Sequence, residues 1–285
     1  MNKNDISFYT ERKKMAFLGH ELIFGERTLI MGILNLTPDS FSDGGNFISV
    51  DNAVEHAKEM LVDGADIIDI GGESSRPGHE RIGAEEELRR ILPVIKRLKN
   101  ETKAIISLDT IRSEVAEEAV KNGVHIINDI WGFQEDKRLA DIAAKYGTPV
   151  ILMHNQNGTD YEGDMLEEIM RSLAESVKIA KVAGVRDEMI ILDPGVGFGK
   201  TSEQNLMLMS RLGEIKSMGY PVLLGTSRKS MIGKILGLTP KDRVEGTIAT
   251  TVLGIVQGID IVRVHDVAEN LRAAKVADAI VRSKN

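Results

Sequence analysis

Along this chain, short apolar runs end again and again in one or two polar residues: ILN, SLD, IIND, LMHN, ILDPG, LLGTSRK and IVRVH. A parallel strand buried on both faces should be nearly continuous in Val, Ile and Leu. Asn35, Asp109, Asn128, Asp193, Lys229, Arg263 and His265 are therefore costly choices there, and each needs a compensating role. Between the runs, apolar positions recur at helical spacing. Residues 28–37 predict a first strand, followed by the long Gly-, Pro- and Ser-rich loop PDSFSDGGNF. Helical periodicity resumes near Asp51, a candidate N-cap, and Gly64 is placed to end that helix. ADIIDIGG predicts a second strand and ESSRPGHERIG a second long loop. The next helix, AEEELRRILPVIKRLKN, contains Pro93, which predicts a kink or a break into two shorter helices. AIISLDT, HIINDI, PVILMH, MIILDPG, PVLLGTS and IDIVRVH predict six more strands. The helices between them cover SEVAEEAVKNG (capped by Ser113, ended by Gly123), DKRLADIAAKYG, MLEEIMRSLAESVKIAKVAGV, SEQNLMLMSRLGEIKSMGY and a region near 240–257. VAENLRAAKVADAIVRS is last.

Strands alternating with helices predict right-handed βαβ units and a parallel sheet. An open dinucleotide-binding sheet would carry GxGxxG after its first strand and gather its polar residues at one switch point. This sequence does neither. An α/β protein with a closed (β/α)8 TIM barrel fits better, because it brings every polar strand end to one carboxyl-terminal rim, where barrels keep their chemistry. The expected organisation is an N-terminal extension over 1–27 packed on a single barrel domain over 28–285, with long βα loops after the first and second barrel strands.

Composition narrows the function. With a formal net charge of −7 and a pI near 5.5, the chain is not expected to bind nucleic acid or a membrane surface, and an anionic substrate would need a local basic pocket. The chain has no cysteine, which removes thiolate metal sites and Cys nucleophiles and is compatible with a reducing cytosol. Neither a signal segment nor a run of about 20 apolar residues is visible. A cytoplasmic location is expected.

The sharpest local motif is ILDPGVGFGKT, an acid at a strand end followed by three glycines and a lysine. A phosphate loop of the GxxxxGK[ST] type would need a glycine where Pro194 stands, so that reading is disfavoured. Asp109 and Asn128, with Asp193, can read the edge of a planar heterocycle bearing a guanidine-like NH2/NH pattern. Arg263 and His265 lie two apart and so share a strand face, forming a cationic rim for a phosphate or diphosphate. Asn35 could join them around Mg2+, which bridges phosphate oxygens with few protein ligands. The bland alternative is that Arg263 pairs with a carboxylate inside the barrel. Arg228 and Lys229 suit an anion or an electron-rich ring, while Lys229 could instead be a Schiff-base nucleophile. In the loop candidates Ser74, Ser75, Arg76 and Pro77, Arg76 could bind the carboxylate of a second substrate. Trp131 and Phe133 read as cover for the barrel top, and the histidines lack metal-binding spacing.

Taken in order, GILNLTPDSFSDGG, GGESSRPG, SLDT, IINDI, LDPGVGFGK, GTSRKS and IVRVHD resemble the dihydropteroate synthases, the folate-pathway enzymes inhibited by sulfonamides, and the likeness spans residues 28 to about 270. The resemblance implies a bacterial, single-function transferase. Its reaction would join 6-hydroxymethyl-7,8-dihydropterin diphosphate to 4-aminobenzoate on a (β/α)8 barrel, with Mg2+ and as a homodimer. It also implies that Asp109, Asn128, Met153, Asp193 and Lys229 bind the pterin, and that Asn35, Arg263 and His265 hold the diphosphate and its metal. Phe41, Asp43, Ser75, Arg76, Pro77, Phe198, Lys229 and Ser230 would serve the aminobenzoate. Of these, Asp109, Asp193, Lys229, Arg263 and His265 would carry catalysis. Many relatives have Thr where this chain has Ser75, so a methyl is lost from that loop. The segment NQNGTDYEGD receives no role. The rivals are a pterin-binding methyltransferase domain using methyltetrahydrofolate, a Schiff-base aldolase through Lys229, and a catalytically silent relative.

Overall fold

The structure, a computed structural model, describes residues 12–37, 50–73 and 81–282. It opens on an antiparallel hairpin, β1 (Lys13–Phe17) and β2 (His20–Phe24), within the N-terminal extension. In KKMAF and HELIF the residues Met15, Phe17, Leu22 and Phe24 are buried, and Ala16 and Ile23 between them face outward, the period of two of a half-covered strand. Lys13 Nζ donates to the Gly219 carbonyl at 2.7 Å, and the His20 ring lies 4.3 Å from that of His125. The hairpin thus lies at the amino-terminal end of the barrel.

Eight parallel strands follow: β3 (Leu29–Asn35), β4 (Ile67–Gly71), β5 (Ile105–Asp109), β6 (Ile126–Asp129), β7 (Val150–Met153), β8 (Ile190–Asp193), β9 (Leu223–Leu224) and β10 (Ile261–Val264). They pair in the order β8-β7-β6-β5-β4-β3-β10-β9. A parallel bridge between Leu192 and Val222, with Leu192 N–H donating to the Pro221 carbonyl at 2.9 Å, joins β8 to β9 and closes the barrel. Their burial is nearly complete, as strands covered on both sides require.

Among the described residues ten α-helices flank the strands: α1 (Val50–Val62), α2 (Ala84–Glu101), α3 (Ser113–Asn122), α4 (Arg138–Tyr146), α5 (Met165–Ala183), α6 (Ser202–Ser210), α7 (Leu212–Lys216), α8 (Ser230–Leu236), α9 (Val244–Val256) and α10 (Val267–Val281). Pro93 does not split α2 into two helices. The bond it forfeits is that to the Arg89 carbonyl, and both residues are exposed, so water can serve that carbonyl while Ile91, Val94, Ile95 and Leu98 hold the buried face. Conversely, the single helix expected over SEQNLMLMSRLGEIKSMGY is two, interrupted at Arg211. Ser113 begins α3 but does not cap it; its N–H donates to Asp136 Oδ2 at 3.2 Å.

Three carboxylates, Asp260 and Asp278 buried and Asp66 half-buried, fasten the amino-terminal end. Asp66 accepts two bonds from Arg27, at 2.5 and 2.8 Å, and one from the Ile30 N–H at 2.9 Å. Asp278 accepts from Thr28 N–H, Thr28 Oγ1 and Arg282 Nε at 2.7, 2.9 and 2.8 Å, tying α10 to the start of β3. Asp260 accepts from Lys216 Nζ at 2.5 Å and Val222 N–H at 2.8 Å. Each acid joins consecutive layers of the barrel.

Candidate active site

Register brings the polar strand ends to one rim. Asn35 pairs across with Gly71, Gly71 with Asp109, Asp109 with Asn128, and Met153 with Asp193, so four neighbouring strand boundaries end in or beside candidate residues. Gly71 leaves the space between two of them. A Cβ there would meet Asn35 Oδ1 at 3.6 Å and Asp109 Cβ at 3.7 Å.

At the centre stands Arg263. Its Nε donates to Asp69 Oδ2 at 2.5 Å and its Nη2 to Asp109 Oδ2 at 2.9 Å, so two of the five guanidinium donors reach carboxylates inside the barrel. This is the bland alternative of the sequence reading, present in fact. Asp69 is the residue that reading missed. Fully buried, it accepts through Oδ2 from Arg263 and from Asn128 Nδ2 at 3.2 Å, while its Oδ1 has no hydrogen-bond partner among the described residues. The signal was an acid inside the strand IIDIG, overlooked because it interrupts an apolar run instead of ending one.

The remaining groups surround this pair. Burial lifts Asp109 to about 7, opposed by Arg263 and reinforced by the charges of Asp69, Glu87 and Asp129. Asp193 is lifted by burial to about 6, against the pull of the Gly195 N–H, which donates to its Oδ1 at 2.7 Å, and of Lys229, Arg263 and Lys200. Burial and Arg263 lower Lys229 to about 8, opposed by Asp193 and Asp109. Three ionisable groups thus have pKa values drawn toward neutrality, a pattern concentrated at sites of chemistry. Lys229 Nζ lies 4.0 Å from the centre of the Phe198 ring, and Met153 is buried at the end of β7.

His265 sits at the end of β10, its ring fixed by Ser227 Oγ at 2.9 Å from Nδ1, while its own N–H donates to that oxygen at 3.1 Å. Ser230 is exposed at the first turn of α8. Arg228, a candidate alongside Lys229, pairs with Asp266 through bonds of 2.6 and 3.2 Å, which engage two of its five donors. Phe133 is fully buried, and its N–H and that of Trp131 donate to Asp129, so these aromatics belong to the turn after β6. Asp43, Phe41, Ser74, Ser75, Arg76 and Pro77 lie outside the described residues. The chain on either side of 74–80 is anchored: Arg112 binds Glu73, Glu87 and the Ile82 carbonyl at 2.6–2.7 Å, and Arg90 donates to the Gly72 carbonyl at 3.0 Å.

A rim with acids for a polar ring on one side and a guanidinium and an imidazole beside them also matches proteins of known activity. Residues 31–265 match the family of pterin binding enzymes. The dihydropteroate synthase of Clostridium beijerinckii is 58% identical over 263 residues, which are 92% of this chain and 97% of that protein. A crystal structure of the Clostridium difficile dihydropteroate synthase, obtained in the presence of pteroic acid, superposes with a TM-score of 0.89 at 58% identity and covers 91% of this chain and 99% of that one. The Xanthomonas albilineans enzyme with 4-aminobenzoic acid gives 0.91 at 39% identity, covering 96% and 100%.

Proposed function

The chain belongs to the pterin-binding enzymes and, within them, to the dihydropteroate synthases, and on that premise we propose how its rim performs the reaction. The enzyme condenses 6-hydroxymethyl-7,8-dihydropterin diphosphate with 4-aminobenzoate, giving 7,8-dihydropteroate and diphosphate in folate biosynthesis. The methyltetrahydrofolate reading is not retained.

The observation that carries the assignment of roles is the chain of contacts Asn128–Asp69–Arg263–Asp109, with Asp193 and Lys229 coupled to it by charge. Asp109, Asn128 and Asp193, backed by Met153, hold the pterin. Ring N–H donors entering the pocket favour the charged carboxylates, offsetting the burial that raises Asp109 and Asp193 in the ligand-free protein. The donors that Arg263 keeps beyond Asp69 and Asp109, together with Asn35 and His265, face the diphosphate. As the C–O bond to the exocyclic methylene breaks, its electron pair leaves on the diphosphate, toward these cations. Positive charge then develops on the pterin, next to Asp109 and Asp193, and such fixed charges lower the barrier because they need no reorganisation. The neutral aromatic amine attacks the methylene carbon and afterwards loses a proton. Phe198, Lys229 and Ser230, with Phe41, Ser75, Arg76 and Pro77, receive the aminobenzoate, Lys229 and Ser230 addressing its carboxylate.

Mg2+ fits this rim as a guest of the substrate. Asn35 offers one carbonyl oxygen near Gly71, and among the described residues no group of three or more His, Asp or Glu side chains could hold an ion. A single protein ligand plus phosphate oxygens suits Mg2+, which when bound would draw charge from the leaving group. A homodimer is supported by apolar side chains exposed on three adjacent helices: Leu206 and Met207 of α6, Ile235 and Leu236 of α8, and Leu253 and Val256 of α9. The lack of cysteine and of any described helix long and apolar enough to cross a membrane supports a cytoplasmic location. The test is diphosphate release by the purified chain. Sustained release, matched by dihydropteroate formation, should require both substrates; turnover without 4-aminobenzoate, or none with it, refutes the reading.

A further inference from the structure

Beneath the rim lies a second buried cation to which the reaction as described gives no part. Lys200 is 8% exposed, and its Nζ is 2.9 Å from His154 Nδ1, 3.0 Å from the Gly195 carbonyl and 2.9 Å from the Phe198 carbonyl. An ammonium has three N–H donors and no acceptor, so these three partners engage all of it. His154 must then present a bare Nδ1, in keeping with burial and the adjacent Lys200 charge, which hold it neutral at about 3. Burial draws Lys200 itself down to about 7, and the Asp193 charge opposes that.

The turn that Lys200 closes from inside, residues 194–199, reaches the rim at three points. Gly195 N–H donates to Asp193, Lys229 packs over Gly197 so that a Cβ there would fall 2.9 Å from its Cδ, and the Phe198 ring lies under the Lys229 ammonium. Gly195 has a φ of 71°, and a Cβ would fall 1.9 Å from the His154 carbonyl oxygen, so the turn is pressed against the end of β7. The segment after His154, without a role in the sequence reading, supports it from outside. Tyr161 Oη donates to the Gly199 carbonyl at 3.1 Å, and Gln204 Nε2 to the Thr159 carbonyl at 2.8 Å.

We propose that Lys200 is a positioning residue, which, braced on His154, fixes the 194–199 turn so that Phe198 presents its ring to the aminobenzoate. The inference rests on Phe198 lining that pocket, and the experiment separates the two. Steady-state kinetics would be measured for Lys200→Met, Phe198→Ala and the double variant, with pterin diphosphate affinity measured separately. Each single variant should raise the KM for 4-aminobenzoate about tenfold, with kcat and pterin affinity within about threefold, and the double variant should be no worse than Phe198→Ala, because coupled residues are non-additive. A lysine needed only for folding would lower the yield or Tm and leave that KM alone. An unchanged KM in Lys200→Met beside a raised KM in Phe198→Ala overturns the role of Lys200, as do multiplying effects in the double variant. An unchanged KM in Phe198→Ala instead overturns the reading of Phe198. Should Lys200→Met not fold, His154→Leu removes one of the three acceptors; it should raise the same KM about threefold, and no change would overturn the proposal.

Discussion

The two ends of this barrel bury comparable charges and treat them differently. At the amino-terminal end, Asp66, Asp260 and Asp278 each collect a cation and one or more N–H or O–H donors, and each acid ties together segments distant in the sequence. At the carboxyl-terminal rim, Asp69 keeps an oxygen without a partner among the described residues, and Asp109 and Asp193 are lifted toward neutrality by burial. Those at the amino-terminal end are well supplied with donors. Those that await a ligand remain short of donors and cost stability until it arrives. Barrel enzymes divide stability and chemistry between their two ends in this manner.

The largest expected effect comes from the residue on which the rim depends. Arg263→Met leaves Asp69 and Asp109 without their common cation, so it should cost about 3–5 kcal/mol in urea unfolding and abolish turnover. Retained stability would mean that Arg263 is not holding the rim together. Asp278→Ala provides the opposite case: about 3 kcal/mol of stability should be lost, while kcat and both KM values stay within twofold below the melting transition. A fall in kcat there would erase the contrast between the ends.

A smaller effect, of opposite sign, follows from the raised acids. With Asp109 at about 7 and Asp193 at about 6, the folded protein binds more protons than the unfolded chain from about pH 4 to pH 7, so these groups reduce stability as pH rises through that window. Replacing both by Asn should therefore stabilise the ligand-free protein by about 1–3 kcal/mol at pH 8 and leave it nearly unchanged at pH 4. Unfolding curves at the two pH values decide it, and a pH-independent difference would remove burial as the cause. The smallest effect is expected at Ser227→Ala, where His265 loses the oxygen that orients it; the KM for pterin diphosphate should rise about fivefold, the equivalent of one hydrogen bond of about 1 kcal/mol. An unchanged KM would show that the ring is positioned otherwise.

Much of the barrel was legible because burial on both faces makes any polar residue in its strands conspicuous. Asp109, Asn128 and Asp193 stood out at once as the ends of apolar runs. Asp69 did not, since its meaning depends on a partner 194 positions away, at Arg263, which only closure of the barrel brings near. The Arg228–Asp266 pair was hidden for a similar reason: Arg228 stands beside Lys229 in the sequence, but a φ of 59° turns it to meet an acid 38 positions on. The hairpin is harder to see, because Ala16 and Ile23 at outward positions blur the alternation of KKMAF and HELIF. Pro93 illustrates a local rule overridden by a buried helical face.

The most direct test of the rim as a site built for a developing positive charge is kcat of Asp193→Asn at saturating concentrations of both substrates, with pterin diphosphate binding confirmed by titration. Amide and carboxylate are nearly the same size, so the substitution removes the charge and turns one acceptor oxygen into a donor without opening space, and the binding titration separates the two changes. The account predicts a fall in kcat of about 10²–10³-fold, the scale of losing one preorganised electrostatic partner. Full kcat with pterin still bound would contradict it.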